Sequence, residues 1–519
     1  MNHFPIITLI TMTPLVGGAV LAVLDSSNRR LARGLAFGIS LLVLGAAIAL
    51  WLSFNPSSGE YQFEEKWDWI GSAGSPLYVQ YYVGVDGLGV LMVLLTAIVT
   101  PMAMVASWKN EERVPFYFAL MLFLQSGLLG TFTALNFFHW FLFWELSLIP
   151  AFFLIKFWGG PERSAAATQF FIYTMVGSVA MLLAFLGIYK AVGTFDFGKL
   201  AELGRGGELS NQINAAFPGW SWFNIHHASL FIFAGVFLGF AVKVPVIPFH
   251  TWLPAAYTEA PTGTTMMLTG LMSKMGVYGL LRLLLPLFPL EMRAVLHPLL
   301  WLAVLTIVLS ACAAFAQRDL KRVFAYSSIN HLGYCLLGLF AVATLTDKSV
   351  EQAAALNGVV LQMFNHGLTA PVLFCFVGFL EQRAGGLRGL NDFGGLRKVA
   401  PVFCGLMGIA IFASLGLPGL NGFVGEFLIF KGSFALAAWA AAWSVLGLLV
   451  TAIFLLTLIQ RVFNGPLNSK WQSLTDLTWK ERALVLPATA LMFLIGLYPQ
   501  LILGKLTATI MQFVDQLKL

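Results

Sequence analysis

Apolar residues fall in blocks of about 20, the length that carries a helix across the hydrocarbon core of a bilayer. Roughly fourteen blocks can be placed, near residues 4–24, 33–53, 84–106, 115–134, 136–157, 165–190, 228–250, 262–285, 297–316, 324–344, 351–380, 400–430, 436–462 and 483–503. The polar stretches between them are short. The two longest, around 54–83 and 191–227, are too short to bury a core of their own. The pattern predicts an all-α polytopic membrane protein of about 14 transmembrane helices, with its chemistry inside the membrane.

Two blocks are interrupted. In Phe231-Ile-Phe-Ala-Gly-Val-Phe-Leu-Gly-Phe-Ala-Val-Lys243-Val-Pro245-Val-Ile-Pro248-Phe249, a lysine stands in an apolar run and two prolines follow. Proline has no N–H to donate, so carbonyls near Ala241 and Val244 are expected to turn free toward a wet or ionic cavity. In Leu415-Gly-Leu-Pro418-Gly-Leu-Asn-Gly-Phe-Val-Gly-Glu426, the break falls at Pro418 and its glycines, with an acid just beyond. Broken helices in corresponding places of two halves point to an inverted-repeat transporter with its ion site at the breaks. Residue likeness between the two stretches is weak. The expected division is N-terminal helices over 1–110, a first five-helix repeat over 111–290, an inverted second over 291–465 and a last helix over 466–519.

Composition agrees with the block pattern. Of 519 residues, 58% are hydrophobic and 10% charged, and the mean hydropathy of +0.81 lies far outside the soluble range. A net charge of +6 is compatible with a nucleic-acid partner, but the basic residues sit in short loops, where they set orientation instead. Most of the 30 Lys and Arg, among them Arg29, Arg33, Lys109, Arg318, Lys321, Arg388 and Lys480, fall on one set of alternate loops. Lys66, Arg205, Arg282, Lys518 and a few others fall on the opposite side. This bias places both termini outside the cytoplasm and favours an even number of spans. The start, Met-Asn-His-Phe-Pro, has no basic cluster, so an uncleaved first helix is expected rather than a signal peptide.

Cys312, Cys335, Cys375 and Cys404 form no Cys-x-x-Cys pair, and no His-Glu-x-x-His spacing occurs, which argues against iron–sulfur clusters, zinc and disulfides. Segment 381–398 carries Gly385-Gly386 and Gly394-Gly395 among basic residues. It lacks a Gly-Lys-Ser/Thr ending and a preceding strand, so it reads as a cytoplasmic connector and not a nucleotide loop.

The ionisable residues inside the blocks are the candidate machinery. A charge at mid-bilayer costs about 2.5 to 3.5 kcal/mol on insertion scales, so such residues usually line an ion path. Glu145 lies in an aromatic run ending at Pro150, and is either a neutral packed acid or a charge partner. Lys274 is roughly mid-block, with Gly270 one turn before and Tyr278 one turn after on the same face. His331 and His366 each follow an asparagine, and imidazole can pass a proton through its two nitrogens. Each could equally be a neutral packing residue. Glu426 is flanked by apolar runs, and His250 and His139 lie nearer block ends as weaker candidates. Read along the chain, these form a line of charges across the midplane and not one substrate pocket.

Phe-Trp-Glu145, Ala-Val-Lys243-Val-Pro-Val-Ile-Pro-Phe-His250-Thr-Trp-Leu-Pro, Lys274-Met-Gly-Val-Tyr278, Ala-Tyr-Ser-Ser-Ile-Asn-His331-Leu-Gly and His366-Gly-Leu closely resemble the antiporter-like subunits of NADH:quinone oxidoreductase, respiratory complex I. The likeness runs from about residue 84 to 463. Most branches of that family carry lysine in the second broken helix; Glu426 here resembles the M-type branch, counterpart of mitochondrial subunit 4. The resemblance implies an ion pair of Glu145 with Lys243, a hydrated axis through Lys274, His331 and His366, and Glu426 as terminal proton carrier. It also implies no cofactor in this chain, with flavin, iron–sulfur clusters and quinone in partner subunits. The partners would be other membrane subunits of the complex, above all neighbouring antiporter-like ones, in a bacterial plasma membrane. Rival readings are a multisubunit sodium/proton antiporter, a ferredoxin-driven photosynthetic or hydrogenase-type complex, and a passive scaffold.

Overall fold

Each apolar block is helical, because in lipid only a helix or a closed barrel satisfies every backbone polar group within the protein. The computed structural model describes residues 4–72, 74–219, 227–344 and 348–517; Met1, Asn2, His3 and Lys518, used above, lie outside them. In order the helices are α1 (Ile6–Ala22), α2 (Arg29–Ser53), α3 (Gly87–Ala106), α4 (Val114–Thr133), α5 (Phe137–Trp158) and α6 (Arg163–Val192). Short α7 (Phe197–Gly204) and α8 (Glu208–Ala216) precede α9 (Ala228–Lys243), α10 (Trp252–Glu259) and α11 (Thr262–Leu287). The chain continues through α12 (Pro289–Ala294), α13 (Leu296–Ala316), α14 (Leu320–Ala341), α15 (Ser349–Arg383), α16 (Pro401–Ser414) and α17 (Asn421–Leu436). It ends with α18 (Ala438–Phe463), α19 (Trp479–Leu497) and α20 (Gln500–Gln516).

Among the described residues, 10 helices are long and apolar enough to cross a membrane, or 11 if the bent pair α19 and α20 is one span. The expected fourteen depends on three shorter apolar helices, α1, α9 and α16. Two of these three are the helices that break, α9 after Lys243 and α16 before Pro418.

Three features depart from the sequence reading. The 54–83 stretch contains an antiparallel hairpin, β1 (Gln62–Ile70) and β2 (Val79–Val85), so the fold is all-α apart from one small ribbon. Its Glu65 is buried and accepts from Ile7 N at 2.8 Å, fastening the start of α1. The last apolar block does not end the structure: α20 turns 64° from α19 and lies over the hairpin end, where Thr509 accepts from Gly87 N at 3.0 Å and Lys505 donates to Phe54 O at 2.8 Å. Arg282, counted above as an end charge, is 4% exposed and paired with Asp86 at 2.5 Å. Asp86 also caps α3 by accepting from Gly89 N. One carboxylate thereby starts a helix and neutralises a buried guanidinium.

The opposite end is tied differently. Connector 381–398 is pinned by Arg388, which meets Asp319 at 2.5 Å and Glu381 at 3.0 Å, while Lys321 meets Glu381 at 3.1 Å. Burial alone would lower the Arg388 guanidinium; Asp319 and Glu381 outweigh it and hold Arg388 above its ordinary value. The hairpin, the start of α1 and the end of α20 thus share one end of the bundle, and the connector with its basic residues marks the other.

Candidate functional site

The first break places Lys243 at the last residue of α9, 2% exposed. Its ammonium has no hydrogen-bond partner and lies 4.9 Å from the centre of the Trp144 ring. That indole is held by a bond from its Nε1 to Ser178 Oγ at 3.0 Å. Glu145 follows Trp144 on α5 but is only partly buried, and its Oε1 is also without a partner. The ion pair expected between Glu145 and Lys243 is therefore open: each residue carries a buried, unpartnered polar atom, and an aromatic face covers the lysine instead.

Of the two carbonyls expected to be free, that of Ala241 is taken. Ala241 O accepts from Val246 N at 2.9 Å, and Val242 O accepts from Trp252 Nε1 at 3.0 Å. The chain after the proline re-enters as a donor, and the tryptophan that opens α10 closes the remaining gap. His250 lies in this break, half-buried, with Nδ1 unpartnered and its ring 6.3 Å from that of Tyr326; no contact joins it to Lys243.

Lys274 sits in a different environment. Helix α11 widens to π-type turns over Leu268–Met272 and Leu280–Leu284, one on each side of it. In the first, Ser273 N donates to Leu268 O, so Thr269 O is released from its usual helical donor. That oxygen accepts from Ser273 Oγ at 3.1 Å and from Lys274 Nζ. The ammonium also stands 2.5 Å from His366 Nδ1.

The close approach of α15 that permits this contact needs glycine. A Cβ on Gly270 would come within 2.7 Å of Pro371 Cγ, and one on Gly367 within 2.9 Å of Gly270 O. The expectation that Gly270 admits a close neighbour is met, and the neighbour is the helix bearing His366. Tyr278 is not part of this group. Its hydroxyl donates to Phe132 O at 3.2 Å and accepts from Arg282 Nε at 3.3 Å, joining it to the Arg282–Asp86 pair because Lys274 leans back toward Thr269.

From His366 the line continues. The His331 ring lies 5.4 Å from that of His366, centre to centre. His331 Nδ1 is 3.1 Å from Glu426 Oε1 and its Nε2 is 2.9 Å from Ser414 Oγ. Gln362 Nε2 donates to the same Glu426 oxygen at 3.2 Å. Glu426 reaches this place because the break after α16 turns at Gly416 (φ +79°), where a Cβ would stand 2.7 Å from Glu426 Oε2. Between the two imidazoles and Glu426 lies a cavity of about 10 Å³, the room one water centre requires.

Sequence reasoning missed the neutral residues that build this half. Asn365 Nδ2 donates to Asn421 O at 2.6 Å and Asn421 Nδ2 returns to Asn365 O at 3.3 Å, clasping α17 to α15 at the break. Gln362 and Ser414 complete the coordination of Glu426 and His331. A signal existed for Gln362, which lies one turn before His366 on the same helix face. Pro418 marks the second break as expected, and Pro245 the first. Among the described residues no group of three or more His, Cys, Asp or Glu is arranged to hold a metal ion.

Similar proteins share this architecture and chain length. A family described as "NADH:quinone oxidoreductase/Mrp antiporter, TM" matches residues 134–454. NADH-quinone oxidoreductase subunit M of Rhodobacter capsulatus is 34% identical over 96% of this chain and 94% of its own. F(420)H(2) dehydrogenase subunit M of Methanosarcina mazei is 35% identical over 97% of this chain and 96% of its own. A chain in the structure of respiratory complex I from Thermus thermophilus superimposes with a TM-score of 0.83 at 28% identity, covering 98% of this chain and 99% of that one. A chain of the Mrp complex from Dietzia has the same fold, with a TM-score of 0.82 at 20% identity and coverage of 99% and 100%. The chain belongs to the NADH:quinone oxidoreductase/Mrp antiporter family of membrane subunits.

Proposed function

We propose that this chain is a proton-translocating membrane subunit of an NADH:quinone oxidoreductase, working beside other antiporter-like subunits. The observation that carries the reading is the buried line from Lys274 through His366 and His331 to Glu426. A proton leaving the Lys274 ammonium has an acceptor at His366 Nδ1. The imidazole releases a proton from its other nitrogen to one water in the small cavity; the water passes a proton to Ser414 Oγ, whose own hydroxyl proton goes to His331 Nε2, and His331 Nδ1 gives its proton to the Glu426 carboxylate. Neither imidazole requires a fixed tautomer for this, since each nitrogen can serve as donor or acceptor in turn.

Glu145 and Lys243 act as the control. When the Glu145 carboxylate approaches Lys243 it gives the ammonium a counter-charge; in the open arrangement that counter-charge is withdrawn. In this reading the redox reaction, with its flavin, clusters and quinone, takes place in partner subunits and this chain responds to it. NADH as donor is supported by the relatives' names, and the comparable identity of the F(420)H(2) dehydrogenase subunit makes the donor a property of the assembly.

The two five-helix units, 111–290 and 291–465, are supported by their breaks. Setting α7 and α8 aside, the fourth membrane helix of each unit is the broken one: α9 with α10 in the first, α16 with α17 in the second. The connector side is assigned to the cytoplasm by its basic residues and the hairpin side, with both termini, to the outside.

The test is made in the assembled complex reconstituted in vesicles, measuring proton uptake together with NADH oxidation for Glu145→Gln, Lys243→Met and Lys274→Met. The proposal expects impaired pumping in all three. Wild-type pumping in all three would overturn it.

A further inference from the structure

A groove of about 1070 Å³ opens at the connector end, between the middle of α2, the end of α3, the end of α15 and the start of α19. Its walls are apolar, with Phe37 and Trp108 packed edge to face at 6.0 Å and Phe379 on the far side. Two tryptophans stand at the rim, Trp108 at 40% and Trp479 at 75% exposure. Tryptophan at the ends of membrane helices marks the level of the lipid headgroups.

The charges around this groove do not cancel. Glu481, its one carboxylate, is spent on Arg383 at 2.5 Å and on the capping box of α19 with Thr478. Lys109 donates to the neutral Gln382 Oε1 at 2.9 Å. Among the described residues neither Lys109 nor Lys480 has a carboxylate partner, so two ammonium groups line a groove whose other residues are mostly apolar. Other grooves on the surface lack this combination: that between α1 and α2 and that between α6 and α9 are lined almost wholly by apolar residues.

We propose that this groove is a binding site for an anionic phospholipid, its acyl chain against Phe37 and Phe379 and its phosphate between Lys109 and Lys480. A zwitterionic lipid of equal chain length would fill the same apolar walls but bring no net charge to the two lysines. The occupant would join α2 to α19 across the groove. The site is remote from the Lys274 line, and nothing in the proposal depends on that line carrying protons.

The test uses the whole membrane complex, wild type and K109Q/K480Q, labelled with a photoreactive phosphatidylglycerol carrying its reactive group in the acyl chain. Labelled peptides are mapped, and unlabelled phosphatidylglycerol, phosphatidylcholine and soluble glycerol phosphate compete. The expected result is labelling within residues 105–109, 379–382 and 478–484, competed roughly tenfold better by phosphatidylglycerol than by phosphatidylcholine and not by glycerol phosphate. The double variant, whose exposed lysines leave assembly on a native gel unchanged, loses that preference. Absence of label from these peptides, equal competition by both lipids, or an unchanged preference in the double variant would each overturn the proposal. A neighbouring protein covering the groove would produce the first of these results.

Discussion

The two buried lysines sit in membrane helices of the same chain, yet their surroundings are opposite. Lys243 ends a broken helix, lies under the Trp144 indole and touches no polar atom. Lys274 lies within a continuous helix and is met by a released backbone carbonyl and an imidazole. A proline break was the more visible device in the sequence, but there Val246 N and Trp252 Nε1 take the carbonyls of Ala241 and Val242. The π-type turn beside Lys274 left a carbonyl available. At these two lysines, a widened helix supplies the free carbonyl, and the break leaves the ammonium without a hydrogen bond. An unpaired ammonium beside an unpaired carboxylate is the less stable of the two arrangements and therefore the one that a small movement can change.

That contrast can be broken in steps. The largest effect is expected from Asp86→Asn, which leaves Arg282 buried without its counter-charge and loosens the hairpin end of the Lys274 helix. Breaking a buried pair by removing one partner costs about 3 to 5 kcal/mol, so thermal unfolding of the purified assembly should shift clearly downward. An unchanged midpoint would show that α11 is held without this pair.

Lys274→Met comes next. It removes a charged hydrogen-bond donor of about 1.5 to 3 kcal/mol, and the vesicle pumping rate should fall roughly 10- to 100-fold. Asn421→Ala, which opens the clasp to Asn365 at the second break, should cost about 1 to 3 kcal/mol of stability through the unsatisfied groups it leaves. It should also slow pumping by displacing Glu426. The smallest effect is expected from Trp144→Phe: an aromatic face remains over Lys243, and the change in the cation–π contact is about 1 kcal/mol or less. Pumping should change by no more than about fivefold. A larger loss would mean that the indole N–H bond to Ser178, and not the ring, sets the Lys243 position.

Much of this was legible in the chain. Lys274, His331, His366 and Glu426 were each singled out as charges in apolar surroundings, and the structure brings all four together. Apolar blocks are read reliably because lipid imposes helix on them wherever they occur. The pairing of Tyr278 with Arg282 was hidden because a charge near a helix end looks the same whether it meets water or a buried carboxylate. Asn365, Asn421, Gln362 and Ser414 were hidden for a related reason. An amide or hydroxyl side chain suits a helix end or loop as readily as a buried site, and the partners here come from helices distant in sequence. The hairpin and α20 were missed because neither is apolar throughout: β1 mixes charged and aromatic residues, and α20 packs one face only.

The most direct measurement concerns the end of the line. Glu426→Gln keeps the shape of the side chain and its place beside His331 and Gln362 but removes the carboxylate proposed to receive the proton. Protons translocated per NADH oxidised, read in vesicles containing the assembled complex, should fall below the wild-type ratio, or pumping and oxidation should slow together. A wild-type ratio at a wild-type rate would contradict the claim that protons travel from Lys274 to Glu426.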